Sequence, residues 1–153
     1  MTVSDNADGP CYIAVPSPAP VRNDWAAYDL ETPSGIKVEV TSSAYLQSWH
    51  QTTISNPSFS IRKAREWSPE TNEFSEEQLR HSDVYVFCLL AHRGDKRLLD
   101  PLDLSQWEFY VVKTSEIDRI FEERASIGIN QVQRLSQTYF AKNLMDAVQT
   151  ASA

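Results

Sequence analysis

The chain has 153 residues, which suits one domain, and a hydrophobic fraction of 41% with four Trp, six Tyr and six Phe is enough for a real core. A net charge of −7 excludes broad electrostatic attachment to nucleic acid and leaves only local basic faces, at residues 61–65 and 92–97, each read first as a solvated loop or strand end. Two cysteines exclude a disulfide framework, and no stretch reaches the ~18 apolar residues of a membrane helix.

In chain order, residues 1–22 are a polar, proline-rich leader, and residues 23–150 read as the domain. Pro16, Pro18 and Pro20 keep the leader extended, and residues 11–15 suit an edge strand. The leader lacks a positive region followed by an apolar run, so a signal peptide is not expected and a reducing, cytoplasmic setting follows. Residues 25–41 read as two short strands around a tight turn. Pro33 presets a negative φ and Gly35 accepts a positive one. Past the turn the pattern alternates strictly: Ile36, Val38 and Val40 face one way, and Lys37, Glu39 and Thr41 the other.

Residues 44–49 suit a short helix or turn, and residues 58–62 a strand. Residues 67–74 form a turn-rich excursion. Residues 75–81 have helical propensity, with Ser75 as N-cap and Glu76 and Glu77 in the first turn. Residues 83–90 are almost continuously apolar, as expected of a central strand buried on both faces, with Val84, Val86 and Cys88 on one and Tyr85, Phe87 and Leu89 on the other. A loop at 92–97 precedes a strand at 107–113, and Thr114 is placed to cap a helix running to Phe121. A short strand at 127–129 and helices at 131–134 and 138–151 complete the order. Such a mixture predicts an α/β or α+β layered fold around a mixed sheet.

A carboxylate on each of two neighbouring strands is how a protein holds a hard divalent cation. Asp29 lies on the first strand of the hairpin and Glu39 in the middle of the second, with nine residues between them. The segment resembles the PD-(D/E)XK, or restriction-endonuclease-like, nucleases, whose signature is an Asp, a hairpin, then Glu-x-Lys. The stretch from Ser42 to Trp49, together with residues 83–88, 100–104 and Trp107, is similar to an uncharacterised bacterial subfamily of that fold. The resemblance spans roughly residues 25–121.

The resemblance implies a restriction-endonuclease-like mixed sheet flanked by helices and a Mg²⁺-dependent cut in DNA. By the same resemblance Asp29, Glu39 and the Val40 carbonyl are the metal ligands, and Gln47 is a polar group near the metal. Such an ion positions a phosphate and lowers the pKa of an attacking water. Two departures stand out. Thr41 occupies the lysine place and carries no charge, which impairs the implied site; Lys37, on the same face as Glu39, could stand in for it or be an exposed partner of Asp29 or Glu31. The helix that related chains carry before the first acid is missing or replaced by the leader. Ser42 and Ser43 suit capping of a following helix.

Other chemistries lack their residues. His50, His81 and His92 have no metal-ligand spacing, the four glycines form no phosphate-cradling loop, and there is no G-x-S-x-G elbow. What the resemblance implies is a Mg²⁺-dependent DNA endonuclease, impaired at Thr41, or a relative that has lost activity, with DNA as partner, no membrane association, and a homodimer left open. The alternative is a non-catalytic binding module or assembly subunit on the same fold.

Overall fold

The computed structural model describes residues 2–6, 9–13, 28–47, 49–65, 67–68 and 70–152. Pro16 to Pro20 and residues 25–27 lie outside these, as does most of the segment where a first helix would fall. The fold is mixed α+β: a four-stranded mixed sheet with three α-helices and small two-stranded ribbons around it.

The central sheet has the order β3 (Leu30–Glu31), β4 (Lys37–Ala44), β8 (Val84–Leu90), β9 (Trp107–Lys113). β3 and β4 are antiparallel, β4 and β8 parallel, and β8 and β9 antiparallel. β8 is interior, and all seven of its residues are buried. Val84, Val86 and Cys88 join Val38, Val40, Phe109 and Val111 on one face, covered by Leu144, Ala147 and Val148 of α3 (Leu144–Ser152). Tyr85, Phe87 and Leu89 join Tyr110 and Val112 on the other. That second face is covered by Ile117 of α1 (Thr114–Phe121), Ile129 and Val132 of α2 (Ile129–Leu135), and a ribbon of β5 (Ser58–Ser60) paired with β10 (Ser126–Gly128). Phe87 has no exposed surface and meets Phe59 of the ribbon edge to face at 5.2 Å. Phe87→Ala should therefore cost about 3–5 kcal/mol, read as a shifted midpoint in urea unfolding; a shift worth less than about 1 kcal/mol would mean that the ribbon does not seal this face.

Several local expectations give way to tertiary pairing. Residues 75–81 are not helical; Leu79 makes an isolated bridge with Ala64 instead. A seven-residue helix pays its nucleation cost for few bonds, and the bridge satisfies both backbones. The excursion at 67–74 is a hairpin of β6 (Trp67–Ser68) and β7 (Glu73–Phe74). β4 runs on to Ala44, and the residues after it are bends rather than a helix, so Ser42 and Ser43 are strand residues and cap nothing. Thr114 is the first helical residue rather than the cap, and its hydroxyl meets that of Ser82 at 3.1 Å. The helix expected at 138–151 begins only at Leu144, because Tyr139 bridges to Phe109 at the edge of β9. In the leader, β1 (Thr2–Asn6) and β2 (Gly9–Ile13) pair antiparallel. Among the described residues no helix is long and apolar enough to cross a membrane.

Candidate metal site on the β3–β4 edge

The turn sets the geometry. Gly35 donates its N–H to the Thr32 carbonyl at 2.9 Å and has φ +89°, a left-handed conformation that glycine adopts without a side-chain clash. The Thr32 hydroxyl accepts from the Ile36 amide at 3.1 Å, and the Thr32 amide donates to the Ile36 carbonyl at 2.9 Å. This closed loop aligns Glu31 with Lys37 and Leu30 with Val38. Leu30 and Val38 then go into the α3-side core together. Because side chains alternate, Glu39 falls on the opposite face of β4, and Asp29, the residue before β3, lies near enough for its charge to act on it.

Asp29 is bound to β4 twice. Its amide donates to the Val38 carbonyl at 3.1 Å, and its Oδ2 accepts from the Val40 amide at 2.8 Å. The carboxylate thus takes the place of a backbone acceptor at the end of the short β3. A strand residue sends its N–H and C=O to the same side, so the Val40 carbonyl leaves on Asp29's edge as well. Glu39 is half-buried on this face, and its carboxyl is pushed up to about 8. Burial is the larger cause, since it penalises the charged form; the negative charge of Asp29 is the second. Two carboxylates are therefore held close enough to oppose each other's ionisation.

Glu39 lies beside Tyr85 in the parallel pair. The Tyr85 hydroxyl is pushed up by burial first and by the Glu39 charge second, while the Arg80 guanidinium pulls it down. Arg80 has no exposed side-chain surface and uses all five donors. Nε donates to the Ile61 carbonyl at 2.8 Å, Nη1 to Asp118 Oδ1 at 2.7 Å and the Glu122 carbonyl at 3.2 Å, and Nη2 to the carbonyls of Phe121 and Arg124 at 3.2 and 3.0 Å. It ties the C-terminal end of α1 to the end of β5, which suits a cation at a helix C-terminus. Sequence reasoning missed both groups. Tyr85 was legible as the neighbour of Glu39 once the strand register was guessed, whereas Arg80 stood inside an expected helix and had no local signal.

The remaining sequence-predicted residues are placed as follows. Thr41 shares the Glu39 face but is buried, 8% exposed, beside Phe87. Lys37 stands opposite Glu31, yet its ammonium sits over the Tyr28 ring, 5.4 Å from the centroid, while Tyr28 donates to Glu31 at 3.3 Å. Gln47 lies past the far end of β4, where its side chain donates to the Ala44 carbonyl at 3.1 Å and its amide to Gln51 Oε1 at 2.8 Å. The fold brings Asp29, Glu39 and Val40 together and engages Gln47 and Lys37 elsewhere. In the 92–97 loop, Arg97 pairs with Asp95 at 2.7 Å and Arg93 stacks on Tyr45 at 3.8 Å, so these cations hold local structure.

Among the described residues no group of three or more His, Cys, Asp or Glu is assembled for a metal. Two carboxylates and a carbonyl are nonetheless the donor set magnesium uses, since it keeps several waters and takes one or two carboxylates. A cation beside them would favour the charged form of Glu39, against both the burial and the Asp29 charge that push its carboxyl up. The residues fit such an ion. Asp29 and Glu39 would hold it, and bound there it would supply Lewis acidity and a more acidic water. No family model matches the chain, and neither a curated protein nor a solved structure matches it.

Proposed function

We propose that the protein is a divalent-metal-dependent nucleic-acid phosphodiesterase of the PD-(D/E)XK type, with DNA as substrate and a site weakened at Thr41. The observation that carries the reading is that Asp29 is bound to the backbone of Val38 and Val40, on either side of Glu39, whose carboxyl is pushed up by burial and by the Asp29 charge. A mixed sheet with helices on both faces is compatible with that fold family. Calorimetric titration with Mg²⁺ tests the site. Wild type should bind, and Glu39→Ala should bind at least about tenfold more weakly, as for loss of one charge-assisted ligand. Equal affinity in the two proteins would remove the site.

A second reading has its own support. Position 41 is uncharged and buried, and the Lys37 ammonium is engaged with Tyr28. Without a cation to stabilise developing charge, the domain would keep the metal site and the fold as a binding module or assembly subunit. Absence of any cleavage by wild type under Mg²⁺ or Mn²⁺, with metal binding intact, would select this reading.

A further inference from the structure

The β5–β10 ribbon covers the sheet face that carries Glu39: Phe59, Ile61 and Ile127 point in and pack with Tyr85 and Phe87. Its other side is exposed. Ser58, Ser60, Arg62, Arg124 and Ser126 are all solvent-facing. Ser60 pairs with Ser126, and the pairing continues past the named strands, since the Ile61 amide donates to the Ala125 carbonyl at 2.9 Å. Carried one step further, this register sets Arg62 against Arg124, which line one cleft, and at the next step Lys63 meets Glu123 in an ion pair at 3.3 Å. The same register thus produces one matched pair and one pair of like charges.

Like charges directly opposite on paired strands are destabilising. Among the described residues neither guanidinium has a carboxylate partner: Arg124 lies over the Phe121 ring at 5.7 Å, and the adjacent Glu123 is taken by Lys63. Glu122 is the remaining acid beside them, around a cleft of about 310 Å³ shared by Arg62, Lys63, Gln78 and Arg124. Two guanidinia flanked by serine hydroxyls present donors to an outside anion. In a chain of net charge −7 a polyanion can dock only where such a local excess exists.

We infer that the outer face of the β5–β10 ribbon, at Arg62 and Arg124, is a docking surface for a nucleic-acid phosphate backbone. The inference rests on the phosphodiesterase reading for the identity of the polyanion. Its placement rests on the ribbon: the inner side packs on Tyr85, and Tyr85 is the strand neighbour of Glu39. Guanidinium pairs of this kind bind phosphate oxygens and fix register without reading bases.

The test measures fluorescence anisotropy of labelled single-stranded and duplex DNA over a salt series, with wild type, Arg62→Glu/Arg124→Glu, and Arg97→Glu, outside the ribbon and its cleft, as a control. The double variant should bind at least about tenfold more weakly, since two charge-assisted contacts are lost. Its dependence of log affinity on log salt should flatten by about two units, one for each arginine. Arg97→Glu should match wild type. Unchanged affinity and slope in the folded double variant would overturn the inference, as would wild-type binding to phosphatidylserine vesicles but to neither DNA. Mg²⁺ calorimetry on the same proteins separates the two ideas. Loss of DNA binding with intact metal binding supports the ribbon and leaves the metal site standing. Loss of DNA binding in a protein that never bound Mg²⁺ supports the ribbon and removes the metal site.

Discussion

Thr41→Lys is expected to raise Mg²⁺-dependent DNA cleavage by about 10²–10⁴-fold, the usual worth of a positioned general acid–base or charge-stabilising group. The reason is the pleat. Position 41 follows Glu39 by one full period, about 6.6–6.8 Å along β4, and on the same face. A lysine side chain spans that distance and brings an ammonium to the two carboxylates. In wild type position 41 carries no charge, and the nearest lysine by sequence, Lys37, has its ammonium over Tyr28. Lys37→Ala should accordingly leave any wild-type cleavage unchanged. The substitution also has a cost, because position 41 is 8% exposed and lies beside Phe87, so a lower melting temperature should accompany the gain. A second readout does not depend on turnover. An ammonium near the pair should move the Glu39 carboxyl down from about 8, followed by NMR titration of its side-chain carbon. A folded Thr41→Lys protein that cuts neither single-stranded nor duplex DNA would end the repairable-nuclease idea and favour the binding module.

The apparent affinity for Mg²⁺ should rise roughly 100-fold between pH 6 and pH 9, because the ion must displace the proton on Glu39 and that group titrates at about 8. At pH 7 most molecules carry the proton, so binding should release nearly one, measured by calorimetry in buffers of different ionisation enthalpy. The same shift makes a stability statement without metal. In the unfolded chain Glu39 titrates near the ordinary value of 4.5, and in the folded chain near 8. Between those values the folded state holds a proton that the unfolded state lacks, so stability falls as pH rises. The contribution of neutral Glu39 is fully present below about pH 4.5 and is lost as pH passes through about 8. Its full size is roughly 3–5 kcal/mol. Glu39→Gln should remove the slope, so its melting temperature should change less than that of wild type from pH 6 to pH 9. Chelation of Mg²⁺ at pH 9 should destabilise wild type and leave Glu39→Gln unmoved. A pH-independent Mg²⁺ affinity would show that Glu39 is not a ligand.

What was legible in the sequence was carried by short-range pattern. The Thr32–Gly35 turn is local chemistry, and it brings Asp29 back onto the β4 backbone at Val38 and Val40, on either side of Glu39. The buried run of β8 was equally plain, since a strand covered on both faces has no polar alternation to disguise it. The helix expected at residues 75–81 shows where local propensity ends: the backbone of Leu79 is claimed by Ala64, and Arg80 by carbonyls 19 to 44 residues away. Only the tertiary structure decided three further features. It took Gln47 and Lys37 into other contacts, because the chain after β4 bends and Tyr28 offers a ring face. It brought Arg62 and Arg124, 62 residues apart, to the lining of one cleft. And it half-buried Glu39 beside Asp29, so that desolvation and a neighbouring charge, neither visible in a list of residues, turn an ordinary carboxylate into one that holds its proton past neutrality.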